Sequence, residues 1–116
     1  MFFASLAAAA TAALSPVPHS DTDLRCLTTY LFVVGQMEED AEAKETEKLG
    51  VSMLATYYLG RIKGRYPGVD VGVAVRSLVQ GGQYNEAAIG ADIEMCNADT
   101  KVWTADLDKI NLNATD

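Results

Sequence analysis

The chain has 116 residues, a length that allows one domain with a single core. Its net charge is −7, and every Lys, Arg, Asp and Glu lies at or beyond Asp21. An acidic domain of this size argues against nucleic-acid binding, which requires a large positive surface.

The apolar run over residues 1–14 has the length of the apolar h-region of a secretory signal peptide, and Ala10-Thr11-Ala12 offers a small-x-small cleavage pattern. The run is too short to span a bilayer, so no stable membrane insertion is expected after cleavage. We therefore predict a signal peptide and linker over residues 1–20, a helical domain over 21–116, and a periplasmic or secreted location. The alternative is an apolar N-terminal helix that stays in the mature fold.

The first helix is predicted behind a proline-broken segment, with Asp21 or Asp23 as its N-cap. Apolar residues then recur at spacings of three and four, which is the period of one helix face. These residues are Leu24, Leu27, Leu31 and Val34, and Cys26 lies on an adjoining apolar stripe.

The second helix is predicted to begin at the acidic stretch 38–48 and to run unbroken to Tyr66-Pro67-Gly68. Carboxylates crowd its first turns and basic residues its last turns, an arrangement that complements the helix dipole. We expect the acidic cluster to be a solvated helix face. Six carboxylates could also bind calcium, but ligands strung along a helix do not fold around one point.

Residues 69–75 carry valines at alternate positions, which is a strand signal. Asp70 after Pro67-Gly68 is also a good helix cap, and the apolar positions from 71 to 79 fit helical spacing. We favour a short third helix that ends at Gly81-Gly82, because a single strand would have no partner elsewhere in the chain.

The last helix is predicted from Asn85 onward, where an a/d pattern continues for about seven turns. The pattern comprises Ile89, Ile93, Cys96, Thr100, Trp103, Leu107 and Ile110. Cys96 therefore lies on the buried seam of this helix, as Cys26 lies on an apolar stripe of the first.

Two cysteines in a small chain with an export-like leader indicate one disulfide, Cys26–Cys96. If the protein is cytosolic instead, both thiols would be reduced, buried and inert. The whole pattern predicts an all-α, four-helix bundle-like domain with a long C-terminal helix and one disulfide. Gly60 and Gly64, one turn apart, suggest a close helix crossing there, and the alternative is local irregularity.

Few residues have the types needed for catalysis or metal binding. His19 is the only histidine and lies in the leader or linker, so the later chain has no imidazole for a nucleophilic site or for zinc. The carboxylate pairs Asp92/Glu94 and Asp106/Asp108 are two residues apart and share no helix face, so we expect ordinary surface charge. No catalytic residue, metal or cofactor is predicted.

A possible ligand-contact site involves Arg61, Arg65, Tyr57 and Tyr58. The two arginines are one turn apart and could jointly bind one carboxylate or phosphate, or simply pair with nearby carboxylates. The aromatic residues, together with Tyr30 and Trp103, would form either a core or an apolar pocket between helices.

Three segments carry a resemblance: Arg25-Cys26-Leu27, the sequence YLGRIKGRYPG at 58–68, and Cys96. Their layout resembles small uncharacterised exported helical proteins of Gram-negative bacteria, and this resemblance implies no assigned function. In size, helical content and single long-range disulfide the chain is also similar to the periplasmic acid-stress chaperones.

Two classes of function follow. The first is a non-enzymatic exported interaction protein, chaperone-like or inhibitor-like, with a basic or apolar protein partner. The alternative is a helical-bundle carrier of a small apolar or anionic ligand, with Arg61 and Arg65 at the mouth of an aromatic-lined cavity. An enzyme is the least favoured class.

Overall fold

The computed structural model describes residues 16–82 and 84–110, and it contains four helices and no strand within these ranges. They are α1 (Thr22–Glu39), α2 (Glu45–Arg65), α3 (Val71–Gln80) and α4 (Glu86–Lys109). The all-α prediction is confirmed, and the valine-rich stretch after residue 69 forms a helix. The predicted signal peptide over residues 1–14 lies outside the described residues.

Helices α1 and α2 form an antiparallel pair, and α4 packs against them parallel to α1. Asp23 pairs with Arg61 while Tyr30 stacks on Tyr58, so contacts move forward along α1 and backward along α2. Along α4 the order of contacts matches that along α1, because Arg25 pairs with Asp92 and, further along both helices, the Tyr30 hydroxyl donates to Asn97 Oδ1.

The core lies at one end of this three-helix layer. Every buried apolar residue of α1 falls between Leu24 and Tyr30, and those of α2 lie at or after Ala55. Leu78 of α3 and Val17, which precedes α1, cover this end and are each 1% exposed. The proline-broken segment predicted as linker therefore contributes to the core.

Three helices begin with side-chain caps. The carboxylate of Asp21 accepts from the Leu24 amide at 3.0 Å, and that of Asp70 accepts from the Val73 amide at 3.0 Å. Asn85 caps α4 in the same way. These bonds satisfy amides that have no partner within the helix, and the first two confirm the predicted helix starts.

The disulfide prediction is confirmed. Cys26 and Cys96 are bonded, both are 0% exposed, and their Cα atoms are 5.5 Å apart. The bond joins the first turns of α1 to the middle of α4.

The prediction of one unbroken helix from residue 38 is wrong at its start. Glu39 ends α1, residues 40–44 form a turn, and α2 begins at Glu45. Asp40 adopts extended backbone angles, and its side chain accepts from the Glu42 amide at 2.9 Å. Asp makes such turns because its short carboxylate replaces a backbone acceptor. The acidic cluster consequently spans two helix ends and a turn.

The close-crossing prediction for Gly60 and Gly64 is also wrong. A Cβ atom built at either glycine would meet nothing within 4 Å, and both glycines are exposed. No neighbouring backbone uses the space that these glycines leave.

None of the helices in the described ranges is long and apolar enough to cross a membrane.

Candidate functional site

Arg61 and Arg65 lie one turn apart near the end of α2, and together they bind carboxylates of this chain. Arg61 Nε is 3.0 Å from Asp23 Oδ1, and Arg65 Nη2 is 2.9 Å from Asp23 Oδ2. Arg65 Nη2 also donates to both oxygens of Asp21 at 2.8 Å. Of the two alternatives for these arginines, the structure shows the pairing with nearby carboxylates, and Asp23 is bound by both.

These ion pairs raise the pKa of both guanidinium groups, chiefly through the hydrogen bonds to Asp23 for Arg61 and to Asp21 for Arg65. The arginines border a polar cleft of about 330 Å³. Asp99 adds a third carboxylate to this cleft, so three negative groups face two positive ones. Such a balance does not favour a small anion.

Tyr58 belongs to the core and contacts Asp99 and Trp103, two of the residues that line this cleft. It is 0% exposed, and its hydroxyl donates to Asp99 Oδ2 at 2.7 Å. Trp103 Nε1 donates to the same hydroxyl at 3.4 Å. Burial is the largest of the effects that raise the pKa of Tyr58 to about 12. Tyr58 is therefore a structural residue that holds Asp99 and Trp103 in place, and it is not a contact surface.

Tyr57 and Trp103 form a half-buried aromatic wall. Their rings stack with centroids 3.9 Å apart and planes 16° apart, which joins α2 to α4. Tyr57 also meets the Tyr58 ring edge-on at 5.0 Å. Aromatic pairs of this kind are worth about 0.5–1.5 kcal/mol beyond the area that they bury. The wall has the polar cleft on one side.

On its other side, the aromatic wall borders an apolar groove between α2 and α4. This α2–α4 groove encloses about 570 Å³ and is lined by Gly50, Met53, Leu54, Thr56, Tyr57, Trp103, Thr104 and Leu107. Its apolar side chains face water, because Met53 is 64% exposed and Leu107 is 59% exposed. Large apolar side chains that share an open concave surface are typical of a binding site.

The seam prediction for α4 therefore holds only in part. Cys96 is buried, but Leu107 and Ile110 at the end of the a/d pattern are 59% and 64% exposed. One sequence signal could have revealed the groove. Gly50 lies on the apolar stripe of α2 and offers no side chain to fill the space opposite Leu107.

The prediction of Asp92 as surface charge is wrong. Asp92 is 6% exposed and accepts from Arg25 Nε at 2.9 Å and 3.2 Å. Arg25 Nη1 also donates to the carbonyl oxygen of His19. The His19 ring lies 2.8 Å from Ser77 Oγ, so Arg25 and His19 together tie the segment before α1 to α3 and α4. Glu94, Asp106 and Asp108 are exposed, as predicted.

Over residues 16–82 and 84–110, no three His, Cys, Asp or Glu side chains lie close enough together to hold a metal ion. This holds for the acidic cluster at residues 38–47 as well.

Comparisons with known proteins find nothing similar. No protein-family model matches the chain, and neither the curated proteins nor the solved structures include a match. The α2–α4 groove and its borders are therefore the features of the molecule from which a function can be inferred.

Proposed function

We propose that this chain is a non-enzymatic exported interaction protein that binds an apolar segment of a partner protein in the α2–α4 groove. It would act on that partner in a chaperone-like or inhibitor-like manner. The observation that carries the proposal is the exposure of Met53 and Leu107 on one concave surface beside the Tyr57–Trp103 wall. The Cys26–Cys96 disulfide supports an oxidising compartment, where such bonds persist.

The groove suits an elongated partner better than a small ligand. Sites for small molecules bury about 70–90% of the ligand surface, whereas the groove is open along the side that exposes Met53 and Leu107. Its volume of about 570 Å³ nevertheless lies in the range of small-molecule sites, which keeps a carrier of a small apolar ligand as the second candidate. An anionic ligand is disfavoured, because Asp21 and Asp23 already engage both arginines.

The test uses an 18-residue helical peptide with leucines on one face and glutamines on the other. Trp103 is the only tryptophan of the chain and lines the groove, so its fluorescence reports binding directly. We expect saturable binding that weakens at least tenfold in Met53→Asp and in Leu107→Asp, because a carboxylate then has to be desolvated against leucine. Val102→Asp is the matched control, since Val102 is 69% exposed on α4 and does not line the groove.

Equal affinities in the parent and both groove variants would overturn the proposal, as would an equal loss in the Val102→Asp control. A titration with 1-decanol separates the two candidates. If decanol saturates the Trp103 signal and the peptide leaves it unchanged, the small-ligand carrier replaces the protein-binding function. Suppression of the aggregation of a heat-unfolded client by the parent, and not by Leu107→Asp, would identify the chaperone-like form.

A further inference from the structure

We propose that the occupant of the α2–α4 groove is an amphipathic helix of a partner protein with two basic residues about four turns apart. One basic residue would pair with Asp99 and the other with Glu47. This inference rests on the proposed function and adds the chemistry of the partner.

Asp99 lies just past the inner end of the groove, on the polar-cleft side of the Tyr57–Trp103 wall. It lies four residues before Trp103 and eight before Leu107, so the three side chains share one face of α4. Its carboxylate is held by the buried Tyr58, whose hydroxyl is 2.7 Å from Asp99 Oδ2, while Asp99 itself is exposed. A fixed, accessible carboxylate beside an aromatic wall is a site that a partner ammonium or guanidinium group can reach.

Glu47 marks the outer end. It precedes Gly50 by three residues and Leu54 by seven, which places it on the face of α2 that lines the groove. Glu47 is exposed in the first turn of α2, next to the acidic turn at residues 40–44. Residues 38–48 hold six carboxylates and two lysines, so the outer end is strongly negative.

Neither carboxylate is neutralised within the part of the chain that the structure describes. The ion pairs found there engage the carboxylates of Asp21, Asp23, Glu45, Asp92 and Asp106, and none engages Asp99 or Glu47. The apolar groove therefore lies between two carboxylates that make no ion pair in the described part of the chain, Glu47 at its outer end and Asp99 just past its inner end. A partner with the complementary pattern is apolar in the middle and basic at both ends.

The spacing of the two charges follows from helix geometry. Tyr57 stacks on Trp103 between antiparallel helices, Glu47 lies ten residues before Tyr57, and Asp99 lies four residues before Trp103. At 1.5 Å per residue these intervals add along the groove to about 20 Å. A partner helix would bridge that distance with basic residues about 14 positions apart and apolar residues on the same face between them.

Charge also decides between a foreign partner and a second copy of this chain. The chain carries a net charge of −7, so two copies repel each other, and the repulsion is greatest where both present the acidic end of the groove. A basic partner is attracted by the same negative potential, which raises its rate of association and favours one orientation.

The experiment compares three 18-residue peptides that share one leucine face and carry Lys, Gln or Glu at positions 2 and 16. Binding to the full chain is followed by Trp103 fluorescence at about 20 mM and about 300 mM salt. We expect the Lys peptide to bind tightest and the Glu peptide weakest at low salt. The differences should shrink at high salt, because exposed charges are screened.

The double variant Glu47→Gln/Asp99→Asn should weaken binding of the Lys peptide by about five- to tenfold, since an exposed ion pair contributes about two- to fivefold in affinity. Binding of the Gln peptide should not change. Asn at position 99 keeps an oxygen that can accept from Tyr58, which preserves the local geometry. Glu94→Gln is the control, because it removes the same charge from an exposed site on another face of α4.

The outcomes separate the two proposals. If all three peptides bind equally and depend on Leu107, the charge inference is wrong and the proposed function stands. If none binds in a Leu107-dependent way, the proposed function itself fails. A further Lys peptide carries its basic residues at positions 2 and 9. If it binds as tightly as the peptide with lysines at positions 2 and 16, the predicted separation of about 14 positions is wrong. Sedimentation that shows a dimer of the parent and a monomer of Leu107→Asp would assign the groove to a second copy.

Discussion

The three long helices α1, α2 and α4 bury their apolar side chains at one end of the molecule and expose several of them at the other. At the stapled end, which holds the Cys26–Cys96 bond, Tyr58 and Ile62 are completely buried. At the open end, formed by residues 31–54 and 101–110, Met53 is 64% exposed and Leu107 is 59% exposed. The buried core and the exposed apolar surface thus lie at opposite ends of one small domain.

The difference arises from what covers each end. Leu78 of α3 and Val17 of the segment before α1 are each 1% exposed and lie over the stapled end, where they complete the core. In the described part of the chain, no corresponding element covers Met53 and Leu107. Helices that extend beyond their covering layer keep an apolar face with nothing of their own to bury it against.

Polar groups follow the same division. Asp92 at the stapled end is buried and paired with Arg25, and Asp23 is 6% exposed and bound by two arginines. Among the described residues, no buried side-chain nitrogen or oxygen lacks a hydrogen-bond partner. A buried charge is tolerated only when it is paired in this way.

The largest expected effect comes from removing the disulfide. In Cys26→Ala/Cys96→Ala the free energy of unfolding should fall by about 4 kcal/mol, because the bond closes a loop from residue 26 to residue 96 and limits the unfolded chain. Urea unfolding followed by circular dichroism measures the change. The parent with added reductant should match the double variant. A loss below about 1 kcal/mol in both would show that the stapled end does not depend on its bond.

Truncation inside the core should be the next largest effect. Ile62→Ala should lower the free energy of unfolding by about 3 kcal/mol, because it leaves a cavity at a fully buried position. Val102→Ala, at a position that is 69% exposed, should change the same quantity by less than about 0.5 kcal/mol. Similar losses in the two variants would contradict the contrast between the ends.

Alkaline pH should lower the free energy of unfolding, because the buried Tyr58 at the stapled end disfavours the ionised phenol. Its pKa in the folded protein is about 12, above the ordinary 10.0, so folding favours the neutral phenol. Below pH 10 the full contribution of Tyr58 to the free energy of unfolding is present. Between pH 10 and pH 12 the Tyr58 phenol ionises in the unfolded chain while it stays largely neutral in the folded protein. The free energy of unfolding should therefore fall over this window, by about 2 kcal/mol at most.

Urea titrations at pH 9, 10.5 and 11.5 measure this fall, and the absorbance of tyrosinate reports the ionisation. Burial also raises the pKa of Tyr30 and Tyr84, so part of the fall should persist in Tyr58→Phe. The prediction is wrong if Tyr58→Phe loses stability as steeply as the parent.

The sequence predicted what depends on local patterns. Apolar spacing placed the helices, Asp70 identified the start of α3, and Cys26 and Cys96 on apolar faces predicted the bond between α1 and α4. The turn at residues 40–44 was missed, because most of the stretch consists of good helix formers and contains neither glycine nor proline, while Asp40 accepts from the Glu42 amide through its side chain and from the Ala43 amide through its carbonyl. Local propensity does not show where a chain reverses without glycine or proline.

The candidate site was predicted only in part, and the reason differs from the one that applies to the turn. Arg61, Arg65 and Tyr57 do border the polar cleft, but Asp23 and Asp99, which line it with them, come from other helices. No spacing rule within one helix predicts which residues of another helix will lie opposite. Leu107 was expected on a buried seam because periodicity shows which face is apolar, and it does not show how far the neighbouring helices cover that face. Coverage is a tertiary property, and it is the property that creates the groove.

The smallest expected effect concerns the open end. Met53→Gln and Leu107→Gln should each change the free energy of unfolding by less than about 0.5 kcal/mol, because both side chains already face water in the folded state. The same variants should bind the leucine-faced peptide more weakly, since a buried amide without a partner costs about 1–3 kcal/mol. Urea unfolding and Trp103 fluorescence measure the two quantities on the same samples. If either substitution costs more than about 1.5 kcal/mol of stability, Met53 or Leu107 supports the fold and the ends are not separate. If affinity falls while stability is kept, the apolar side chains of the open end contribute to binding and not to folding.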